Sequence, residues 1–228
     1  MTDMFKNRYR AGAVLASLLN RYADRDDVVV VALPRGGVPV GFEVARTLHA
    51  PLDILVVRKL GVPGYPELAM GAIAGGEVRV LNRDLLRHLR INGSDIDRVV
   101  EKERHELARR ELVYRGVRPS LPLRGRTIIL VDDGLATGAT MYSAIVALRQ
   151  QHVARIVVAV PVASHEACEV LESAADEIIT ALVPESFGGV GGWYEIFDQT
   201  SDKEVRMLLE RAEELYQRHL KREYVTST

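Results

Sequence analysis

Two adjacent acids, Asp132 and Asp133, stand between an apolar run, residues 128–131, and a loop of small and hydroxylated residues that ends at Thr140. The run predicts a buried strand, and a helix is predicted from about Met141. Where a strand end meets a helix N-terminus, an α/β sheet binds anions, because backbone N–H groups point outward there. Carboxylates repel phosphate, so this arrangement favours a ligand that also carries hydroxyl groups or a bound cation. A sugar phosphate meets that description.

The rest of the chain alternates predicted strands and helices. Residues 28–33 form a continuous apolar run that is typical of a central parallel strand, and a helix follows to about Leu48. Further strands are predicted at residues 52–57, 155–160 and 177–183. Amphipathic helices are predicted at both ends of the chain, and the last one begins at a capping-box pattern, residues 201–204.

This alternation predicts an α/β fold with a parallel, doubly wound sheet flanked by helices. We expect a single domain over residues 1–228, since no linker or repeat interrupts the pattern. Residues from about 83 to 120 and from 184 to 200 are candidates for a small cap, or hood, over the site.

A second loop, Pro34-Arg35-Gly36-Gly37, follows the first predicted strand and should lie at the same sheet edge as the acids. The two glycines allow backbone N–H groups to turn toward a diphosphate, and Arg35 offers a fork of donors. A tight strand–helix connection without ligand contacts is the alternative.

A third candidate is the basic pair Arg58-Lys59, predicted to end the second strand. The following residues, 60–76, are rich in glycine and proline, and we expect a mobile loop that returns through residues 69–74 as a strand. The alternative for the pair is a solvated basic strand end.

The composition excludes several classes of protein. The chain has 228 residues, 47% of them apolar and 27% charged, and its formal net charge of −1 gives no global reason for nucleic-acid binding. One cysteine, Cys168, excludes an internal disulfide framework and fits a reducing compartment. Neither a secretory signal nor a run long enough to cross a bilayer is visible, so we expect a cytoplasmic protein without a membrane partner.

Residues 128–140 resemble the phosphoribosyl diphosphate (PRPP) motif of type I phosphoribosyltransferases, which has four hydrophobic residues, two acids, two variable positions, then small-Thr-Gly-small-Thr. Residues 34–37 resemble the diphosphate loop of that family. The resemblance implies that the acids lie at the ribose hydroxyls, directly or through Mg²⁺. It assigns the 5′-phosphate to Ala136, Thr137, Gly138, Ala139 and Thr140, and the diphosphate to Arg35, Gly36, Gly37, Arg58 and Lys59.

The same resemblance implies a reaction and its partners. A phosphoribosyl group would pass from PRPP to a nitrogenous acceptor, with release of diphosphate and inversion at the anomeric carbon. The catalytic residues would be Asp132, Asp133, Arg35 and Lys59. Aromatic residues of the C-terminal loop are the predicted acceptor contacts, namely Phe187, Trp193 and Tyr194; core packing is the alternative for them. Family members also lead us to expect a homodimer.

Two other functions remain open from the sequence. A regulatory protein on this fold could sense PRPP or a nucleotide without catalysing a reaction. Another phosphate-ester enzyme would fit the phosphate loop but would leave the two acids and the Arg35 loop unexplained. No signature of a particular acceptor base is present.

Overall fold

The computed structural model describes residues 4–75 and 78–226, so the first three residues and the end of the predicted 60–76 loop lie outside it. Eight strands occur in the described part. They are β1 (Val28–Ala32), β2 (Leu52–Ile54), β3 (Val57–Val62), β4 (Tyr65–Ala74), β5 (Val78–Leu81), β6 (Thr127–Val131), β7 (Arg155–Val162) and β8 (Glu177–Leu182).

Seven α-helices connect and cover these strands in the described residues, 4–75 and 78–226. They are α1 (Arg8–Leu18), α2 (Gly37–Leu48), α3 (Arg83–His88), α4 (Gly93–Arg115), α5 (Ala139–Gln150), α6 (His165–Glu172) and α7 (Asp202–Thr226). None of these helices combines the length and the apolar character that crossing a bilayer requires.

Five parallel strands form the central sheet in the order β2-β1-β6-β7-β8. Every residue of β1 and of β6 is buried, which explains why β1 and residues 128–131 of β6 are continuously apolar. The strand order reverses between β1 and β6, and open α/β sheets bind their ligands beyond the strand ends at such a point. The predicted parallel, doubly wound α/β fold is confirmed.

The second sheet was not predicted. β3, β4 and β5 form an antiparallel sheet, with a turn at Pro63-Gly64 where Gly64 has φ +82°. The expected mobile loop is therefore wrong for residues 60–62 and 65–68, which belong to β3 and β4, whereas the predicted return through residues 69–74 as a strand agrees with β4. The glycines and prolines of this segment lie at a hairpin turn and at irregular strand pairing near residues 60–62. Each strand buries alternate apolar residues, Leu60 and Val62 in β3 and Met70 and Ala72 in β4.

This sheet and α4 form the hood. Apolar residues of α4 pack against β3 and β4, among them Ile96, Val100 and Leu107. Residues 83–120, which we predict as part of a cap, contain both α3 and α4. The first strand of the hairpin before them, β3, was missed because its glycine-containing sequence lacks a strong strand pattern.

The C-terminal helix agrees with its prediction. The Ser201 hydroxyl accepts a hydrogen bond from the backbone N–H of Glu204 at 3.1 Å, as a capping residue does. The buried face of α7 packs in the same apolar cluster as Phe42 of α2, and it consists of Val205, Leu208, Leu209 and Ala212.

Candidate active site

Asp132 and Asp133 follow β6 directly at the point where the strand order reverses. The loop after β1 approaches them so closely that only glycine fits: a Cβ on Gly36 would lie 2.0 Å from Asp133 Oδ2. A Cβ on Gly37 would lie 2.8 Å from the Val131 carbonyl oxygen. The structure therefore brings the predicted diphosphate loop against the acid pair.

Arg8 of α1 is a residue of this site that sequence reasoning missed. Its Nε donates to Asp133 Oδ2 at 2.7 Å, across 125 residues of chain, and another guanidinium nitrogen donates to the Asp198 carbonyl at 2.6 Å. The guanidinium carbon lies 3.8 Å from the Phe197 ring centroid. No local pattern around Arg8 announces this contact, since the partners meet only in the folded chain.

The acid pair is electrostatically unfavourable on its own. Burial, and then the neighbouring charge of Asp133, raise the pKa of Asp132 well above its usual range. Burial also raises the pKa of Asp133, while the Arg8 guanidinium acts in the opposite direction. A further positive charge at this position would stabilise the ionised pair.

These carboxylates fit a magnesium ion. Mg²⁺ prefers oxygen ligands and is commonly bound by one or two carboxylates together with substrate phosphates. The mutual repulsion of Asp132 and Asp133 is what such an ion would relieve. They are accordingly the two residues of this site that could hold the metal.

The loop after the acids is held by the neighbouring β7–α6 connection. Leu135 and Ala163 form an isolated parallel β-bridge through their backbones. The Ser164 hydroxyl donates a hydrogen bond to the Ala136 carbonyl at 2.6 Å. Gly138, with φ +70°, is the residue before the first turn of α5. The backbone N–H groups of that first turn have no partner within the helix and point out of its end. Ala136, Thr137 and Ala139 are exposed, Thr140 is half-buried and Gly138 is buried.

Arg35, in the loop after β1, contacts the start of the C-terminal helix. Its peptide bond to Pro34 is cis. The guanidinium NH1 lies 3.3 Å from Asp202 Oδ1 in the first turn of α7, and both side chains are partly exposed. Arg35 is therefore accessible to an anion that competes with Asp202.

Arg58 and Lys59 lie inside β3, and the prediction that they end the second parallel strand is wrong. β2 stops at Ile54 and the chain then crosses to the hood sheet. Even so, both residues line a groove of about 590 Å³ that Thr140 also lines. Arg58 is paired with Glu103 of α4 at 2.5 Å, whereas Lys59 is exposed.

The C-terminal loop reaches the same region. Tyr194 is buried between Phe5 and Phe197, and its hydroxyl donates to the Asp133 carbonyl at 2.5 Å. The Trp193 Nε1 donates to the Phe187 carbonyl at 3.0 Å, and both residues are half-buried. Tyr194 thus contacts the core in this structure, and the acceptor-binding roles of all three stay predictions.

Known proteins resemble this chain in sequence. Residues 2–192 match the phosphoribosyl transferase domain family. Two relatives from Mycobacterium tuberculosis, strains CDC 1551 and H37Rv, each carry the name "Putative phosphoribosyl transferase" and are 46% identical over 209 residues. These matches cover 92% of this chain but 47% of each relative, so the chain spans about half the length of the curated relatives it matches.

A solved structure resembles most of the fold. The crystal structure of TT1426 from Thermus thermophilus is 43% identical and superposes with a TM-score of 0.81, covering 90% of this chain and 97% of that one. Together with the family match over most of the sequence, these relatives identify the chain as a member of the phosphoribosyl transferase family.

Proposed function

We propose that this protein transfers the 5-phosphoribosyl group of PRPP to a nitrogenous acceptor and releases diphosphate. One observation carries the proposal: the acid pair, the exposed helix-opening loop and the Gly36-Gly37 turn meet at the reversal point of the sheet. A ligand with a phosphate, hydroxyl groups and a diphosphate would use all three features.

The 5′-phosphate would bind at the start of α5. The exposed Thr137 and the half-buried Thr140 provide hydroxyl donors, and the helix N-terminus provides backbone N–H groups. The small side chains at 136, 138 and 139 leave room for a phosphate close to the backbone.

Asp132 and Asp133 would face the ribose. Departure of diphosphate leaves positive charge on the sugar, and nearby carboxylates stabilise that charge. Magnesium, when bound, would supply positive charge for the diphosphate oxygens. The ionised carboxylates are thus useful to the reaction although burial disfavours them in the free protein.

Arg35 and Lys59 would contact the diphosphate from two sides. Arg35 is held only by a partly exposed ion pair with Asp202, which a diphosphate can displace. Lys59 is exposed on the hood, in a groove that Thr140 also lines. Arg58 and the backbone of Gly36 and Gly37 complete the proposed set.

The acceptor would approach from the C-terminal loop. Val190 of that loop lies against Gly134, so the loop borders the PRPP motif. We assign Phe187 and Trp193 as candidate contacts of the acceptor base, because both are half-buried. Tyr194 would position Asp133 through its hydrogen bond.

Diphosphate release from PRPP and magnesium, measured with purine, pyrimidine and pyridine bases in turn, tests the proposal. We expect release that depends on one class of base and on Mg²⁺. Tight PRPP binding without turnover on any base would favour the regulatory function instead. A protein with no affinity for PRPP would contradict both functions.

Arg8→Met is expected to reduce kcat/KM for PRPP by about tenfold to a hundredfold, since hydrogen bonds to charged groups contribute about 1.5–3 kcal/mol. The loss follows because Asp133 loses the partner that orients its carboxylate. Steady-state kinetics at saturating acceptor measure the effect. Arg8→Lys keeps the charge but not the planar fork, and it should recover only part of the activity.

Arg10→Met is the matched control for that variant. Arg10 lies on the same helix and is exposed, so the substitution removes the same charge away from the acids. Equal kinetics for the Arg8→Met and Arg10→Met variants would contradict a role for Arg8 at the site.

A further inference from the structure

A cavity of about 300 Å³ lies between the end of α2 and the C-terminal half of α7. His49, which lines it, follows α2 and precedes β2, so the cavity is at the edge of the central sheet where the parallel strands begin. The PRPP motif follows the ends of these strands. The cavity is therefore on the opposite edge of the sheet from the proposed catalytic site.

Basic side chains dominate the lining of this cavity. They are Arg46 of α2, Arg218 and Arg222 of α7, and the imidazoles of His49 and His219. Among the residues that the structure describes, no carboxylate lines it. Arg218 and Arg222 are four residues apart on one helix face, where like charges repel each other. An anion bound between the guanidinium groups would replace that repulsion by attraction.

Two acids next to the cavity leave donors available to a ligand. Glu43 Oε2 accepts from Arg46 Nε at 3.2 Å and from its NH2 at 2.6 Å, and neither hydrogen bond uses NH1. Asp24 Oδ1 lies 2.8 Å from His49 Nδ1 and 3.6 Å from His219 Nε2. Asp24 thus fixes the position of both imidazoles without lining the cavity itself.

The remaining lining is apolar or aromatic. Ala45, Ala50 and Ala212 line the cavity and are buried. The rings of His49 and His219 stack, with their centroids 4.2 Å apart and an interplanar angle of 13°. Small-molecule pockets combine such apolar surface with a few polar groups that orient the ligand. An inorganic ion would use only the guanidinium groups, whereas an organic phosphate would use both kinds of surface.

Stabilisation of helix ends does not account for this arrangement. Basic residues are common in the last turn of a helix, where they contact unpaired carbonyl groups. However, α7 continues to Thr226, about two turns beyond Arg218. At the end of α2, the Ala45 carbonyl already accepts from the backbone N–H groups of His49 and Ala50.

We propose that this cavity binds an organic phosphate, with the phosphate group between Arg46 and Arg218 and the apolar or aromatic part against the alanines and the imidazole pair. Both helices that form the cavity also reach the catalytic edge, since α2 begins at Gly37 and α7 begins at Asp202, the partner of Arg35. A ligand held between their far ends joins two elements that are distant in sequence. Binding therefore stabilises the folded chain.

Adenosine 5′-monophosphate (AMP) is the probe for the test. Titration calorimetry should show that AMP binds about tenfold or more tightly than inorganic phosphate, because only AMP covers the apolar surface. Since a nucleotide can also enter the proposed catalytic site, the position of the ligand is measured directly. Crystals of the full chain soaked in 8-bromo-AMP should give an anomalous bromine peak in the cavity.

Variants show whether the arginines hold the phosphate. Arg46→Met and Arg218→Met should each abolish the bromine peak in the cavity and weaken AMP binding there by about tenfold or more, with circular dichroism as the check on folding. Arg206→Met is the matched control, because Arg206 is exposed on the same helix as Arg218 and outside the cavity lining.

Three results would overturn the proposal. The first is a bromine peak that is absent from the cavity in the wild-type protein. The second is inorganic phosphate that binds as tightly as AMP, which would indicate an adventitious ion only. The third is an equal affinity for AMP in the Arg46→Met, Arg218→Met and Arg206→Met variants.

Discussion

Asp133→Asn is expected to lower kcat for diphosphate release by about 10²–10³-fold while the protein remains folded. Asparagine has the same shape, and its carbonyl oxygen can still accept the Arg8 hydrogen bond. It carries no charge, so it cannot stabilise a positive ribose or hold a cation. Asp132→Asn should have an effect of the same order, measured with the base identified in the acceptor panel.

Asp198→Asn is the control for these substitutions. Asp198 belongs to the neighbouring loop, and its exposed side chain is not part of the proposed site. Its variant should keep near-normal kinetics, because Arg8 contacts only the backbone carbonyl of that residue. Unimpaired diphosphate release in both Asp132→Asn and Asp133→Asn would contradict the proposed mechanism.

Asp132→Asn should lower activity but should preserve or raise the thermal stability of the protein. The folded state raises the pKa of Asp132 through burial and the neighbouring charge. Protonated Asp132 therefore favours folding at low pH, and that contribution is lost as the pH rises through the folded-state pKa. In EDTA at about pH 8 the variant should have an equal or higher Tm than the wild type. The difference should shrink as the pH falls, and a large loss of Tm under the alkaline condition would refute this account.

Gly36→Ala is expected to reduce kcat/KM for PRPP by about a hundredfold or more, since misplacement of a catalytic group by about 1 Å has effects of that size. The added Cβ would lie 2.0 Å from Asp133 Oδ2 and 2.6 Å from its Cγ, so the carboxylate must move. Gly36 itself has φ −59° and ψ −34°, which alanine adopts freely. The effect is therefore steric, and kinetics together with PRPP titration calorimetry measure it.

Gly93→Ala provides the comparison for that variant. Gly93 opens α4, and a Cβ there would have no heavy atom within 4 Å. This substitution should leave PRPP affinity and turnover unchanged. If Gly36→Ala behaves like Gly93→Ala, the close approach of the two loops has no part in binding.

Much of the site was predictable because its geometry is local. A buried strand, two acids and a helix that begins six residues after Asp133 are set by apolar patterning, small residues and a glycine cap, all within residues 128–140. The same holds for residues 34–37. The alternation of strands and helices also predicts the parallel sheet, and parallel strands bring the loops that follow them to one edge.

The hood was predicted less well because its strands depend on contacts between residues distant in sequence. Glycine and proline between residues 60 and 76 suggest a loop, whereas pairing with β4 makes residues 57–62 a strand. Strand formation there depends on partners and on the apolar surface of α4, neither of which a local pattern contains. Arg58 and Lys59 consequently approach the site from the hood rather than from the end of a central strand.

The sequence by itself determined the fold class and the strand–loop–helix unit at Asp132-Asp133. Only the tertiary structure decided which side chains surround that unit: Arg8 reaches Asp133 across 125 residues, and Tyr194 reaches its carbonyl across 61. The physical reason is that local propensities depend on neighbours in the chain, whereas an ion pair depends on where two distant elements pack. The same packing brings Asp24, His49 and His219 together from three parts of the sequence that carry no common motif.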